Sequence, residues 1–149
     1  PAVASRHFRI GIIGPAGSGK SSALACHLKQ RSEPFIWVTA TRLRDIATKA
    51  ATEGGEWAAK MEKLRRIRVL AIDDLSQPKF TEAFASSFFD LLEHRNANRL
   101  AGVWTCQKSL PELRLKIAEQ SGSKNDPDFD QADAISRRLI QDGLKLESH

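Results

Sequence analysis

Lys20, Ser21 and Ser22 stand directly behind a short glycine-rich run, Gly14, Pro15, Ala16, Gly17, Ser18 and Gly19. Residues Gly14 to Ser21, GPAGSGKS, satisfy the pattern G-x-x-x-x-G-K-[ST], a loop that cradles phosphate. Glycines let the backbone adopt dihedrals closed to other residues, so that its N–H groups approach an anion with no side chain in the way. A helix starting at the end of the loop aims its unpaired N–H groups and partial positive charge at the same anion. Lys20 would then span the β- and γ-phosphates of a nucleoside triphosphate, and the Ser21 hydroxyl would ligate Mg²⁺. The stretch from Gly14 to Ser22 is therefore the candidate segment for binding a nucleoside triphosphate. A chance match in a flexible loop is the competing explanation, and the apolar strand before the loop and the helix after it argue against that.

Further polar residues fall where such a site needs them. RVLAIDDL, Arg68 to Leu75, is an apolar run ending in two carboxylates, an arrangement that is costly unless a cation meets them. Asp73 suits the Mg²⁺ that bridges the phosphates, and Asp74 suits polarising the attacking water; a solvated turn, Asp-Asp before Ser-Gln-Pro, is the alternative. In GVWTCQKSLPEL, Gly102 to Leu113, a strand ending in polar Thr105 and Gln107 brings Gln107 to the sheet edge where ligands of open α/β sheets bind. There Gln107 would contact the γ-phosphate or orient the water, or be an ordinary polar strand end. DAISRRL, Asp133 to Leu139, sets Arg137 and Arg138 on a short amphipathic helix. Such a pair reads either as an arginine finger offered to a neighbouring subunit or as a solvated helix face.

The elements that must position these groups are legible in the hydrophobic pattern. Phe8 to Ile13, Phe35 to Thr39, Val69 to Ile72 and Leu100 to Cys106 read as buried strands. Ala23, Leu24 and Leu28 recur at helical spacing after Lys20, and Phe80, Phe84, Phe88, Leu91 and Leu92 line one face of a second helix. Ser109 with Glu112 forms a capping box that starts a helix near Leu110 and carries it to about Glu119. Gln120 to Asp130, rich in Gly, Ser, Asn, Asp and Pro, reads as a long surface loop. A last helix is expected from Gln131 to about Asp142, with Asp130 as N-cap and Gly143 as its stop. Strand and helix alternate, so the fold class is α/β: a parallel sheet flanked by helical crossovers.

The chain has 149 residues, enough for one domain with a real core. An apolar fraction of 41% beside 28% charged residues excludes a disordered chain. The net charge of +5 permits a polyanionic partner without requiring one. Cys26 and Cys106 share no Cys-x-x-Cys or metal spacing and are expected as reduced core residues, which points to the cytoplasm. No apolar run reaches the ~20 residues that cross a bilayer, so no membrane is expected. The chain begins at Pro1 rather than methionine, so residues 1–149 are expected to be one ATPase domain from which an N-terminal portion has been cut.

GPAGSGKSSAL, LRRIRVLAIDDLSQPKFTEAFASSFFDLLEHR, VWTCQKSLPEL and AISRRL, in this order and spacing, resemble the AAA+ ATPases of the bacterial and phage helicase-loader branch, the DnaC/IstB-like proteins. The similarity runs from about Phe8 to Leu146. It implies a P-loop sheet flanked by helices without a large helical lid, ATP bound between subunits of a ring or spiral, and action on a replicative DNA helicase or another nucleoprotein machine, with contact to single-stranded DNA. Lys20 and Ser21 match the phosphate-loop residues, Asp73 and Asp74 the Walker B acids, and Gln107 the first sensor, often Asn in relatives. Aligned on Leu139, Arg138 takes the finger position, and Arg137 stands where relatives often carry an acid. The resemblance thus implies a Mg-dependent ATPase that loads or remodels a helicase in DNA replication, as a homo-oligomer or, if a fragment, a monomer. An IstB-like transposition ATPase, a small-molecule or nucleoside kinase and a nucleotide-gated adaptor are the competing readings.

Other residues are left without a role in chemistry. His7, His27, His94 and His149 lack a second ligand at metal spacing. Trp37 and Trp104 fall inside predicted strands and read as core, while Trp57 lies in the more polar ATEGGEWAAK. The basic run Lys60 to Arg68 reads as the solvated face of the helix before the Asp73 strand.

Overall fold

The protein is described by a computed structural model that covers residues 9–122, 131–140 and 144–147. The four expected strands form: β1 (Arg9–Ile13), β2 (Phe35–Thr39), β3 (Val69–Asp73) and β4 (Ala101–Cys106). A fifth, β5 (Leu144–Glu147), was not expected. All pair in parallel, in the order β2-β3-β4-β1-β5. Because β4 lies between β1 and β3, its end falls midway between the glycine-rich loop after β1 and the carboxylates that end β3.

Successive strand residues face opposite sides of the sheet, and the two sides are covered unequally. On one side Ile12, Val69, Ala71, Ala101 and Val103 pack against Leu24 and Leu28 of α1 (Lys20–Lys29). On the other, Ile13, Val38, Leu70, Ile72, Trp104 and Cys106 meet the larger apolar cluster. That cluster is built from α2 (Ala40–Thr52), α3 (Gly55–Arg66), α4 (Glu82–Ala97), α5 (Leu110–Ser121) and α6 (Gln131–Ile140). Helix starts follow local chemistry. Thr39, Thr81 and Ser109 cap α2, α4 and α5 by accepting a bond from the N–H three residues on, each satisfying an orphan donor. Phe84 and Phe88 line α4 as expected, but Phe80 precedes the Thr81 cap and joins the row from outside the helix; all three are buried, with successive ring centroids 5.0 and 5.8 Å apart.

Two buried groups tie the helices to the sheet. Arg95, on α4, donates to the carbonyls of Leu64 and Ile67 at the end of α3, both at 2.8 Å, and to Ala101 at the start of β4 at 2.7 Å. Burial and the nearby Arg9 cation draw its pKa down to about 9. Trp104 lies over Gly11, where an added Cβ would come within 2.2 Å of the indole, so β1 needs glycine at that position. The same indole N–H donates to the Leu139 carbonyl at 3.0 Å and thereby seats α6 on the sheet.

Several expectations need correction. Cys106 is buried but Cys26 is exposed, because it lies two residues, about 200°, from Leu24 around α1. Trp37 is 39% exposed, because β2 is an edge strand and α1 does not reach across to it. Helix α5 takes in Gln120 and Ser121, and Gly122 closes it in a left-handed conformation. The rest of the expected loop, the Asp130 cap and the Gly143 stop lie outside the described residues. Among the described residues there is no large helical lid, and no helix is long and apolar enough to cross a membrane.

Candidate functional site

The glycine-rich loop leaves β1 and is tied to the neighbouring strand by the Gly14 N–H, which donates to the Cys106 carbonyl at 3.1 Å. Gly17 and Gly19 take φ of 78° and 86°, left-handed values that favour glycine. A Cβ at either position would meet nothing within 4 Å. The space in front of these two α-carbons is therefore open. Gly19 is also the N-cap of α1 and gives it no side-chain cap, and the first turn of α1 holds no acid. The first amides of α1 are thus left for an external anion. Lys20, only 8% exposed, folds across the loop and donates to the Pro15 carbonyl at 2.7 Å. Ser18 Oγ is buried without a partner among the described residues. An orphaned hydroxyl, two bare glycines and an uncapped helix start together fit a polyphosphate.

Ser21, in the first turn of α1, donates its hydroxyl to Asp73 at 3.0 and 3.2 Å, which joins the loop to the end of β3. A hydroxyl and a carboxylate side by side are oxygen ligands suited to Mg²⁺, which keeps waters and phosphate oxygens for its remaining positions. Among the described residues no cluster of three or more His, Cys, Asp or Glu side chains is available to a metal. A cation here would accordingly depend on Ser21, Asp73 and the phosphates themselves.

Thr105, at the end of β4, organises both aspartates. Its hydroxyl donates to Asp73 Oδ1 and accepts the Asp74 N–H at 2.7 Å, and its carbonyl accepts the Leu75 N–H at 2.9 Å. The chain turns immediately. Asp74 has φ of 61°, and its carbonyl accepts the Gln77 N–H at 3.3 Å. The turn considered as the alternative to a site role for this segment is present, directly after the strand that Asp73 ends. Asp74 Oδ1 accepts from the Ser76 hydroxyl at 2.7 Å and Oδ2 from Gln107 Nε2 at 3.2 Å. From behind, α5 presents Lys116, whose ammonium donates to the Ser76 carbonyl. Burial, then the Lys108 charge, lower the Lys116 pKa, while Cys106 and Asp74 oppose that shift. Burial likewise pushes the Cys106 thiol up.

The fold thus brings the loop, Ser21, Asp73, Asp74 and Gln107 to one edge of the sheet, while Arg137 and Arg138 stand elsewhere. Arg138 pairs with Glu93 and lies over Phe89, 4.7 Å from the ring centroid, both on α4 of its own chain. Arg137 pairs with Asp133 one turn away. None of these partners belongs to the loop. Thr105, Ser76 and Lys116 were not foreseen as site residues. For Thr105 the signal was present, a polar residue ending a buried strand one step before Cys106 and two before Gln107.

The sequence matches the family described as IstB-like ATP binding protein over residues 4–140. No curated protein matches it. Among solved structures it is similar to DnaI, at 19% identity over 98% of this chain and 76% of that one, with a TM-score of 0.79. It is similar to the DnaC helicase loader at 14% identity, over 98% of this chain and 81% of the other, with a TM-score of 0.72. The AMPPCP-bound DnaA from Aquifex aeolicus is 17% identical over 98% of this chain, with a TM-score of 0.71, and the chain spans only 42% of that protein. What these likenesses share is the fold, a P-loop AAA+ sheet with flanking helices.

Proposed function

From the premise that this chain belongs to the IstB-like ATP binding protein family, we propose that it is a Mg-dependent AAA+ ATPase that loads or remodels a nucleoprotein complex, a replicative DNA helicase first among them. The observation that carries the catalytic part is the bond from Ser21 to Asp73, with Asp74 and Gln107 beside it and an uncapped helix start in front. In this reading the loop amides and Lys20 hold the phosphates, and Ser21 and Asp73 would hold Mg²⁺, which when bound would supply charge neutralisation at the phosphoryl group. Asp74 takes the proton of the attacking water on a carboxylate oxygen, after exchanging its bond to Gln107 or Ser76 for one to the water. Gln107, released from Asp74, turns its amide to the γ-phosphate. Arg138 acts in trans, on the site of a neighbouring copy, because on its own chain it is held against α4.

The helicase assignment is supported by the likeness to the DnaC helicase loader, and single-stranded DNA as a further partner by the likeness to a DnaA bound to it. The family match equally favours a transposition ATPase as the second reading. ATP hydrolysis measured alone, with single-stranded DNA, and with a replicative helicase tests the proposal. Stimulation by the helicase supports the first reading, and stimulation by DNA without any response to the helicase favours the second. Within the site, Lys20→Ala should abolish ATP binding in calorimetry, while Asp74→Asn should bind ATP and not turn it over. Parental turnover by Asp74→Asn would remove that carboxylate from the mechanism.

A further inference from the structure

Two side chains one turn apart on α5 grip the chain that comes after the candidate base. Lys116 donates to the Ser76 carbonyl, and Gln120 Oε1 accepts the Phe80 N–H at 2.8 Å. Residues four apart on a helix share a face, so this is a single two-point clamp on residues 74–80. What the clamp holds has reason to move. Asp74 carries a side chain at φ of 61°, a conformation that persists only where its surroundings impose it. The Thr105 bonds fix where the turn begins, and the Ser76 hydroxyl bonds the Asp74 carboxylate from within the turn. Lys116 approaches from outside and fixes the peptide that carries the Ser76 hydroxyl.

The same helix begins at the Ser109 cap, two residues after Gln107, the other side chain bonded to Asp74. One rigid element therefore sets both neighbours of this carboxylate: Gln107 through the chain entering its first turn, and Ser76 through Lys116 in its second half. An ammonium is suited to the task, since a charge-assisted bond to a carbonyl is stronger than a neutral one.

We propose that Lys116 is a positioning residue for ATP turnover, whose ammonium, bonded to the Ser76 carbonyl, holds the turn that aims the Asp74 carboxylate. The proposal rests on the reading of Asp74 as the catalytic base. Lys116 is bonded to the Ser76 carbonyl rather than to the glycine-rich loop, Ser21 or Asp73, so its removal should act on kcat and leave ATP affinity alone.

The test compares the parent with Lys116→Met, which keeps the apolar stem, and Lys116→Arg, which keeps a cationic donor. Lys116→Met should lower kcat by about tenfold, the loss of one charge-assisted bond's worth of positioning, with ATP affinity by calorimetry unchanged. Lys116→Arg should restore most of the rate. Amide exchange gives an independent readout: in Lys116→Met the amides of residues 75–80, Pro78 apart, should exchange faster, while those of β3 and α4 keep their parental protection. Unchanged kcat in a folded Lys116→Met overturns the proposal. So does a loss that Lys116→Arg fails to repair, or a rise in exchange spread through β3 and α4. If Lys116→Met does not fold, Lys116→Gln takes its place under the same criteria. If the parent itself turns over no ATP, the reading of Asp74 as base fails, and exchange in residues 75–80 still decides whether Lys116 holds the turn.

Discussion

Gly19→Ala separates what the phosphate loop costs the fold from what it gives the ligand. Gly19 sits at φ 86° and ψ 17°, and an added Cβ meets no protein atom within 4 Å. The penalty to the fold is therefore backbone conformation alone, about 1–2 kcal/mol for a side chain in the left-handed region. At this chain length each kcal/mol lowers Tm by about 2–4 °C. Gly122, the C-cap of α5, supplies the control: φ 78°, ψ 5°, and likewise nothing near its Cβ. Gly122→Ala should lose a similar amount of stability. The two differ in what the open space is for. At Gly19 the methyl would project from the backbone that frames the phosphates and displace one amide bond to an anion, about 1.5–3 kcal/mol. At 1.4 kcal/mol per decade, ATP affinity should fall by about tenfold to 100-fold. Differential scanning calorimetry gives the first quantity and isothermal titration with ATP the second. If Gly19→Ala loses the stability and binds ATP like Gly122→Ala, the space in front of Gly19 is not a phosphate cradle and the reasoning fails.

The trans role of Arg138 is tested by mixing Arg138→Ala, with an intact site, and Lys20→Ala, with an intact finger. ATPase activity should reappear and pass through a maximum with mixing ratio, since arginine fingers are worth about 10³–10⁵ in rate. Co-assembly without recovery passes the role to Arg137. Gly11→Ala should destabilise the fold by about 1–3 kcal/mol in urea melts, because its methyl overlaps a Trp104 ring that cannot yield without losing its bond to Leu139. Replacing Trp104 by Leu in the same chain should recover part of that loss, and no recovery would mean that the clash lies elsewhere.

The parts of the site legible in the sequence are those whose chemistry is local. Gly14 to Ser21 are contiguous, and Asp73 and Asp74 stand out because an apolar run seldom ends in two carboxylates without cause. Thr105, Ser76 and Lys116 gain their roles only when β4 is inserted between β1 and β3 and α5 is laid behind the turn. That is information about pairing across some 30 to 40 residues, which no periodicity carries. Helix α2 was legible and passed over: Leu43, Ile46 and Ala47 are buried at helical spacing behind a Thr39 cap. β5 is four residues long, LKLE, too short for its alternation to stand out. Trp37 shows the limit from the other side. Its strand was correctly placed, yet its burial depends on strand order, and an edge strand that α1 leaves uncovered exposes what a central strand would hide.

The placement of Trp104 has an optical consequence. The chain has three tryptophans and no tyrosine, so its ultraviolet emission is that of Trp37, Trp57 and Trp104 alone. These occupy three distinct surroundings. Trp37 is open to water at the sheet edge, and Trp57 is flanked by the ammonium groups of Lys49 and Lys60, at 4.4 and 4.1 Å from the ring centroid. Trp104 is 2% exposed, with its indole N–H on the Leu139 carbonyl. The blue side of the spectrum therefore belongs to Trp104, whose hydrogen-bond partner lies next to Arg138 on α6. Any event that lifts α6 from the sheet must expose this indole and shift its emission to the red. The protein thus carries a native, label-free fluorophore on β4, hydrogen-bonded to the helix that bears both candidate finger arginines.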